Sequence, residues 1–243
     1  MSPLPSDSEP RRPDDFARLL ATKEPVLLVG GQAVNVWAMY YESRTTALAP
    51  FVSRDVDVLG DRETLTALGK VAGTKPQFFP VKPPTNEIGV VIAKDQQGLS
   101  LLIEVLRCVH GVTNEELREP VYTVALGETH VQVPSPIALL QAKIANVADI
   151  AQAGRQDAHH VLILSQVIPA YLGDLQEAAT GGRLEERKLI ELMERLLASV
   201  TTTKSKKVFK QLELDASQLF AGLGHESLPK LRSFLEKRLT RAL

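Results

Sequence analysis

The apolar positions of this chain follow two rhythms. Up to about residue 134, short runs and alternations that predict strands are interleaved with stretches of period 3.6 that predict helices; beyond it only the helical rhythm continues. Val26–Val29, preceded by Pro25, reads as a short buried strand ending at Gly30-Gly31. A helix over Gln32–Tyr41 follows, with Ala33, Val36, Trp37 and Tyr40 spaced to share one apolar face. Val52–Leu59 carries a strand whose alternation is clear from Asp55 onward, and Asp61 is placed to cap a helix with Leu65, Leu68 and Val71 inward. Val90–Lys94 and Ser100–Leu106 flank Asp95-Gln96-Gln97-Gly98 as a hairpin, and Val121–Ala125 joins His130–Val133 across a turn holding Gly127. Ser135-Pro136 pairs a capping serine with proline at the first helical position. Helices are then expected over Pro136–Ala151, Arg155–Tyr171, Leu184–Ala198 and Ser227–Leu243, broken at Gly154 and Gly181-Gly182. The fold class is therefore α+β: a flexible tail over 1–14, a mixed sheet with flanking helices over 15–134, and a C-terminal α-helical domain over 135–243.

Composition narrows the setting. Of 243 residues, 44% are hydrophobic and 23% charged, which excludes a disordered, collagenous or membrane-spanning chain. The longest apolar stretch, Val26–Tyr41, is too short to cross a bilayer and is interrupted by Gly30, Gly31, Gln32 and Asn35. The first thirteen residues hold four prolines and no apolar secretory core, and the lone Cys108, read as a buried thiol in an apolar strand, fits a reducing compartment; a cytoplasmic location is expected. The net charge of −1 gives no global sign of a nucleic-acid partner. Its distribution is uneven: Arg183–Leu243 holds 13 basic against 8 acidic residues, with Lys204, Lys206, Lys207 and Lys210 clustered. That excess is either a solvated helix face or a patch for an anionic partner such as RNA.

Three features carry candidate chemistry. The strand-to-helix turn at Gly30-Gly31 leaves backbone N–H groups open at a helix start, an arrangement suited to phosphate or to nothing more than a tight turn. Asp55 and Asp57 lie two apart on a strand and so face one side, where two carboxylates repel unless a cation lies between them. Hard oxygen donors of that kind suit Mg²⁺, with solvent-facing acids as the alternative. Glu104 interrupts the apolar run Leu101–Leu106 and needs a cation, a salt bridge to Arg107 or Lys94, or water. Beside the Asp55 strand it would complete a carboxylate triad. His159 and His160 are adjacent on a helix and point about 100° apart, so they do not make a metal pair. A dinucleotide-binding turn at Gly30-Gly31 is disfavoured, since the third glycine of that fingerprint is missing.

Strand–Gly-Gly–helix, then Ser53-x-Asp55-x-Asp57, then an acid on a later hairpin strand, resembles the minimal nucleotidyltransferase fold of the DNA polymerase β type. Val133-Pro134-Ser135-Pro136 with Leu139-Leu140-Gln141-Ala142-Lys143, followed by Arg155-Gln156-Asp157-Ala158-His159-His160, looks most like the AbiEii-type enzymes known as toxins of toxin–antitoxin and phage-defence systems. The resemblance covers roughly residues 25–170. It implies that Gly30, Gly31, Ser53, Lys143 and Asp157 serve the nucleotide, and that Asp55, Asp57 and Glu104 are catalytic and bind Mg²⁺. It also implies an NTP substrate, an acceptor that is tRNA or other RNA, a protein or a small molecule, and a cognate antitoxin protein, with no membrane partner. Against the family pattern, Glu104 stands where aspartate is frequent, Gln156 where lysine is usual and His160 where aspartate is common. The alternative from another class is a catalytically silent nucleotide-binding or protein-interaction module of the same fold.

Overall fold

The computed structural model describes residues 8–82, 85–224 and 228–243. Of the tail, residues 1–7 lie outside the described residues, as does Ser227, where the last helix was expected to begin. The chain divides into two units, one running to Tyr40 and resuming over Ala49–Leu139, the other made of Tyr41–Leu48 and Leu140–Leu243.

The first unit is built on a seven-stranded mixed sheet of order β3-β4-β5-β2-β1-β7-β6. Its strands are β1 (Leu27–Val29), β2 (Asp55–Leu59), β3 (Gln77–Phe78), β4 (Glu87–Lys94), β5 (Ser100–Leu106), β6 (Val121–Leu126) and β7 (Thr129–Pro134), with helices α1 (Gly30–Tyr40), α3 (Arg62–Ala72) and α4 (Asn114–Arg118). β1 runs antiparallel to β2 and parallel to β7, and β2 runs parallel to β5. Two hairpins, β4–β5 and β6–β7, extend this centre on either side. Both turns use a glycine with φ in the left-handed region, Gly98 at 81° and Gly127 at 56°, which a side chain rarely adopts. Alternation explains the two faces: Val56, Val58, Ile103 and Val105 are almost fully buried on one, while Asp55 and Asp57 project from the other.

Helix α1 is not amphipathic as its spacing suggested. It is buried from Gly31 to Ala38 all round, Gln32 and Asn35 included, while Tyr40 is 66% exposed at its end. The buried amides satisfy each other, Asn35 Nδ2 donating to Gln32 Oε1 at 3.0 Å, which is how polar residues persist inside. Trp37 donates its indole N–H to the Pro134 carbonyl at 2.8 Å and meets Tyr122 edge to face with centroids 5.2 Å apart. Asp61 caps α3 by accepting from the Thr64 N–H, as expected, but Val71 is exposed rather than inward. Cys108 also departs from expectation: β5 ends at Leu106, and the thiol is half-buried beside Asn86.

The second unit is helical: α2 (Glu42–Thr45), α5 (Pro136–Asp149, whose first turn belongs to the first unit), α6 (Asp157–Thr180), α7 (Glu186–Val200), α8 (Thr203–Gln211), α9 (Pro229–Ser233) and α10 (Thr240–Ala242), the last two joined by a π-helical turn over Phe234–Leu239. Ser135 caps α5 through the Ala138 N–H at 3.2 Å. Leu189, Met193, Leu196, Leu197 and Val200 form the buried stripe of α7. α6 runs nine residues past its expected end at Tyr171, through Pro169, because Gly181 and not the proline stops it. The excursion Tyr41–Leu48 packs on α6, with Thr45 fully buried and the Tyr41 hydroxyl donating to Asp174 at 2.7 Å. Among the described residues no helix is long and apolar enough to cross a membrane.

Replacing Trp37 with Phe keeps the ring contact but leaves the Pro134 carbonyl without its buried donor. The expected cost is about 1–3 kcal/mol in urea unfolding.

Candidate active site

The site residues of the first unit owe their placement to strand register. Val29 of β1 stands opposite Asp57 of β2, Asp57 opposite Glu104 of β5, and Glu104 opposite Val90 of β4. Paired residues share a face, so Asp55, Asp57 and Glu104 project from the same side of the sheet. At the end of β1 the chain turns into α1 at Gly30, whose φ is 65°. The space a Cβ would fill there is taken by the Asp57 carboxylate, so this position requires glycine on both conformational and steric grounds. The glycine turn and the acid strand expected to act together are thus in contact.

Each acid has a different environment. Ser53 donates its hydroxyl to Asp55 Oδ1 at 2.7 Å, while Asp57 lies against Gly30. Glu104 is 4% exposed and has no hydrogen-bond or ion-pair partner among the described residues. Burial, joined by the negative charges of Asp55 and Glu87, pushes its carboxyl up to about 7. The salt bridges considered for it from sequence are not formed: Lys94 donates to Ser100 at 2.9 Å, and Arg107 is exposed beyond the strand end. Among the described residues no group of three or more His, Cys, Asp and Glu side chains is gathered as a metal cage.

Glu87 is a fourth acid on this face. Three positions before Val90, it would point the other way on a regular strand; the register shift between Glu87 and Gly89 returns it to the side of Leu106 and Glu104. No residue pattern in the sequence announces that bulge.

In the second unit, Lys143 and Asp157 form a buried pair at 2.8 Å. Arg155 reaches the other Asp157 oxygen at 2.6 Å, and Asn146 donates to Oδ1 at 3.1 Å. Burial alone would raise the Asp157 carboxyl, but the Lys143 charge and the hydrogen bonds from Lys143, Arg155 and Asn146 outweigh it and bring it down to about 2. Lys143 therefore neither runs out to solvent nor stands free for phosphate; its ammonium is held by Asp157. His160 is buried beside this network with both ring nitrogens unpartnered among the described residues. Burial and the Lys143 charge drive its pKa well below the usual histidine value, so the ring is neutral. Its neighbour His159 has its ring centroid 6.4 Å away, tilted by 45°. Of the basic cluster, Lys204 is paired with Asp149 at 2.7 Å, while Lys206, Lys207 and Lys210 are exposed on α8.

No family model matches the chain, and no curated protein does either. Among solved structures it is similar to the crystal structure of an antigenic nucleotidyltransferase-like protein from Paracoccidioides brasiliensis. That match has a TM-score of 0.42 and 15% identity, and covers 90% of this chain and 99% of the other.

Two outcomes follow from these environments. Unfolded Glu104 releases its proton near 4.5, whereas the folded group keeps it to about 7. The native state is thus favoured by this group below about pH 4.5, and that contribution is lost as the pH rises through 7. In metal-free protein Glu104→Gln should match the wild type near pH 4 and exceed it at pH 8 by of the order of 3 kcal/mol in urea unfolding. For Asp157 the sign is opposite: its contribution is present above about 3.8 and lost as the pH falls toward 2. Asp157→Ala, which leaves Lys143 buried without its acid, should cost about 3–5 kcal/mol at pH 7 by the same measurement.

Proposed function

We propose that this protein is a Mg²⁺-dependent nucleotidyltransferase, moving a nucleoside monophosphate from an NTP to an acceptor. The observation that carries the reading is the row formed by Gly30, Asp57 and Glu104. It joins a helix N-terminus suited to phosphate to carboxylates on one sheet face, with Asp55 beside them. The donor set fits a hard divalent ion: two half-buried aspartates supply oxygen ligands, and a cation would lower the raised carboxyl of Glu104. Such an ion needs only one or two protein carboxylates, taking the rest of its shell from water and substrate phosphate, so a preformed three-carboxylate cage is not required.

Asp55 and Asp57 would hold the ion, with Glu104 as the third acid. The bound ion would supply charge neutralisation at the transferring phosphoryl group and lower the pKa of the attacking hydroxyl. Around it, the Gly30-Gly31 backbone would present N–H groups to the triphosphate, Ser53 keeps Asp55 oriented, and the carboxylate triad would draw the proton from the attacking hydroxyl. Lys143 and Asp157, paired in the helical unit, are the further residues that the resemblance assigns to the nucleotide. RNA is the favoured acceptor, on the exposed lysines of α8. The resemblance to AbiEii-type toxins extends the proposal to a cytoplasmic toxin with a cognate antitoxin.

A second reading, a silent module that keeps the fold, is favoured by the Lys143 ammonium being taken up by Asp157. Incubation with each α-³²P-labelled NTP, Mg²⁺, total RNA and total protein separates the two. Transfer of label into one fraction, lost in a folded Asp55→Ala/Asp57→Ala variant, is the expected result. No transfer, together with no calorimetric binding of Mg²⁺-NTP, would end the enzyme reading.

A further inference from the structure

We infer that Arg11 is a positioning residue of the acid site, latched by Asp95 and acting on Asp55 through Ser53 and on α1 through Gln32. The inference rests on the metal-carboxylate reading above and adds a part that the motif residues do not include. Arg11 lies ahead of every strand, in the stretch whose composition predicted a flexible tail. Its backbone nevertheless makes an antiparallel bridge with Ser53: the Arg11 N–H donates to the Ser53 carbonyl at 2.8 Å, and the Ser53 N–H to the Arg11 carbonyl at 2.9 Å. Ser53 is the residue whose hydroxyl holds Asp55 Oδ1 at 2.7 Å. The Arg11 carbonyl also accepts from Gln32 Nε2 at 3.0 Å, and Gln32 stands two residues after Gly30 in the first turn of α1. One peptide group thus touches both the acid strand and the glycine-led helix.

What holds Arg11 there is its side chain. Nη2 donates to Asp95 Oδ2 at 2.6 Å, with the two side chains 20% and 17% exposed. The other Asp95 oxygen accepts from the Gln97 and Leu99 N–H groups at 2.8 and 2.9 Å, the bonds that shape the β4–β5 turn. Asp95 is therefore rigid, since one oxygen builds the turn and the other is left to face the arginine. A pair anchored in this way pays less entropy than two free surface side chains and transmits position rather than charge alone. The pair forms part of the wall of a cavity of about 350 Å³ that Asp15, Arg18, Gln96 and Gln97 also line. The chain of contacts runs Asp95, Arg11, Ser53, Asp55, and each link is a hydrogen bond or a peptide group. Outer partners of this kind set ligand orientation in carboxylate sites, and their loss lowers metal affinity without removing a ligand.

The test uses Mn²⁺ as the probe and the full chain. Asp95→Asn keeps an oxygen for the turn and removes the ionic half of the latch, and Arg11→Ala removes the other half. Mn²⁺ affinity by calorimetry should fall about three- to tenfold in each, and the double variant should be no weaker than the worse single. Affinities within twofold of the wild type, or additive losses, would overturn the latch. Hydrogen exchange at the Ser53 amide, which donates to Arg11, gives an arm independent of metal. It should quicken about tenfold in both variants with the rest of β2 and β5 unchanged, and an unchanged rate would overturn the inference. Asp55→Ala separates the two claims. If wild type and Asp55→Ala alike bind no Mn²⁺, the acid-site reading fails, and the exchange result still decides the latch.

Discussion

A left-handed glycine and an aspartate occupy one another's space, and the arrangement of the sheet unit follows from it. Only a residue without Cβ turns the end of β1 into α1 at Gly30 while leaving room for the Asp57 carboxylate. β1 pairs antiparallel with β2 and β2 parallel with β5, and the two registers together put Val29, Asp57 and Glu104 on one row. A shift of one residue in either pairing would send the acids to the buried face, among Val56, Val58, Ile103 and Val105, where carboxylates have no partners. The apolar face thus enforces the register, and the register delivers the polar groups.

The two clusters of ionisable residues manage burial in opposite ways. In the sheet unit burial and the charges of Asp55 and Glu87 push Glu104 up, so it holds a proton near neutrality. In the helical unit Asp157 is at least as buried but receives a lysine, an arginine and an amide, and stays ionised far into acid. The first arrangement is poised to change state when a cation or proton arrives. The second is set, with Lys143 and Asp157 closed on one another.

Much of this was legible in the chain, and the omissions have physical causes. Period and turn chemistry located both hairpins, the Asp61 and Ser135 caps and the boundary where strands give way to helices. Asp55, Asp57 and Glu104 were visible because acids in apolar runs are costly and therefore informative. Helix α1 was misread because Gln32 and Asn35 satisfy one another, so a buried helix looked amphipathic. Glu87 was missed because its side of the sheet depends on a bulge, and Arg11 because a proline-rich segment is tied down by a partner 84 positions away. The pairing of Lys143 with Asp157 is not visible in the sequence for a related reason: the acid that holds the lysine comes 14 positions later, on the next helix.

The excursion Tyr41–Leu48 leaves the sheet unit and returns to it, so the helical unit is assembled from two stretches of chain. A fragment beginning at Leu140 would start inside α5 and lack the buried Thr45 and the hydroxyl that meets Asp174. Gene dissection at a single junction therefore does not yield two modules. Shuffling of the helical half between proteins would have to transplant an eight-residue insert from within the sheet half as well, which makes the two halves a single heritable unit despite their different architectures.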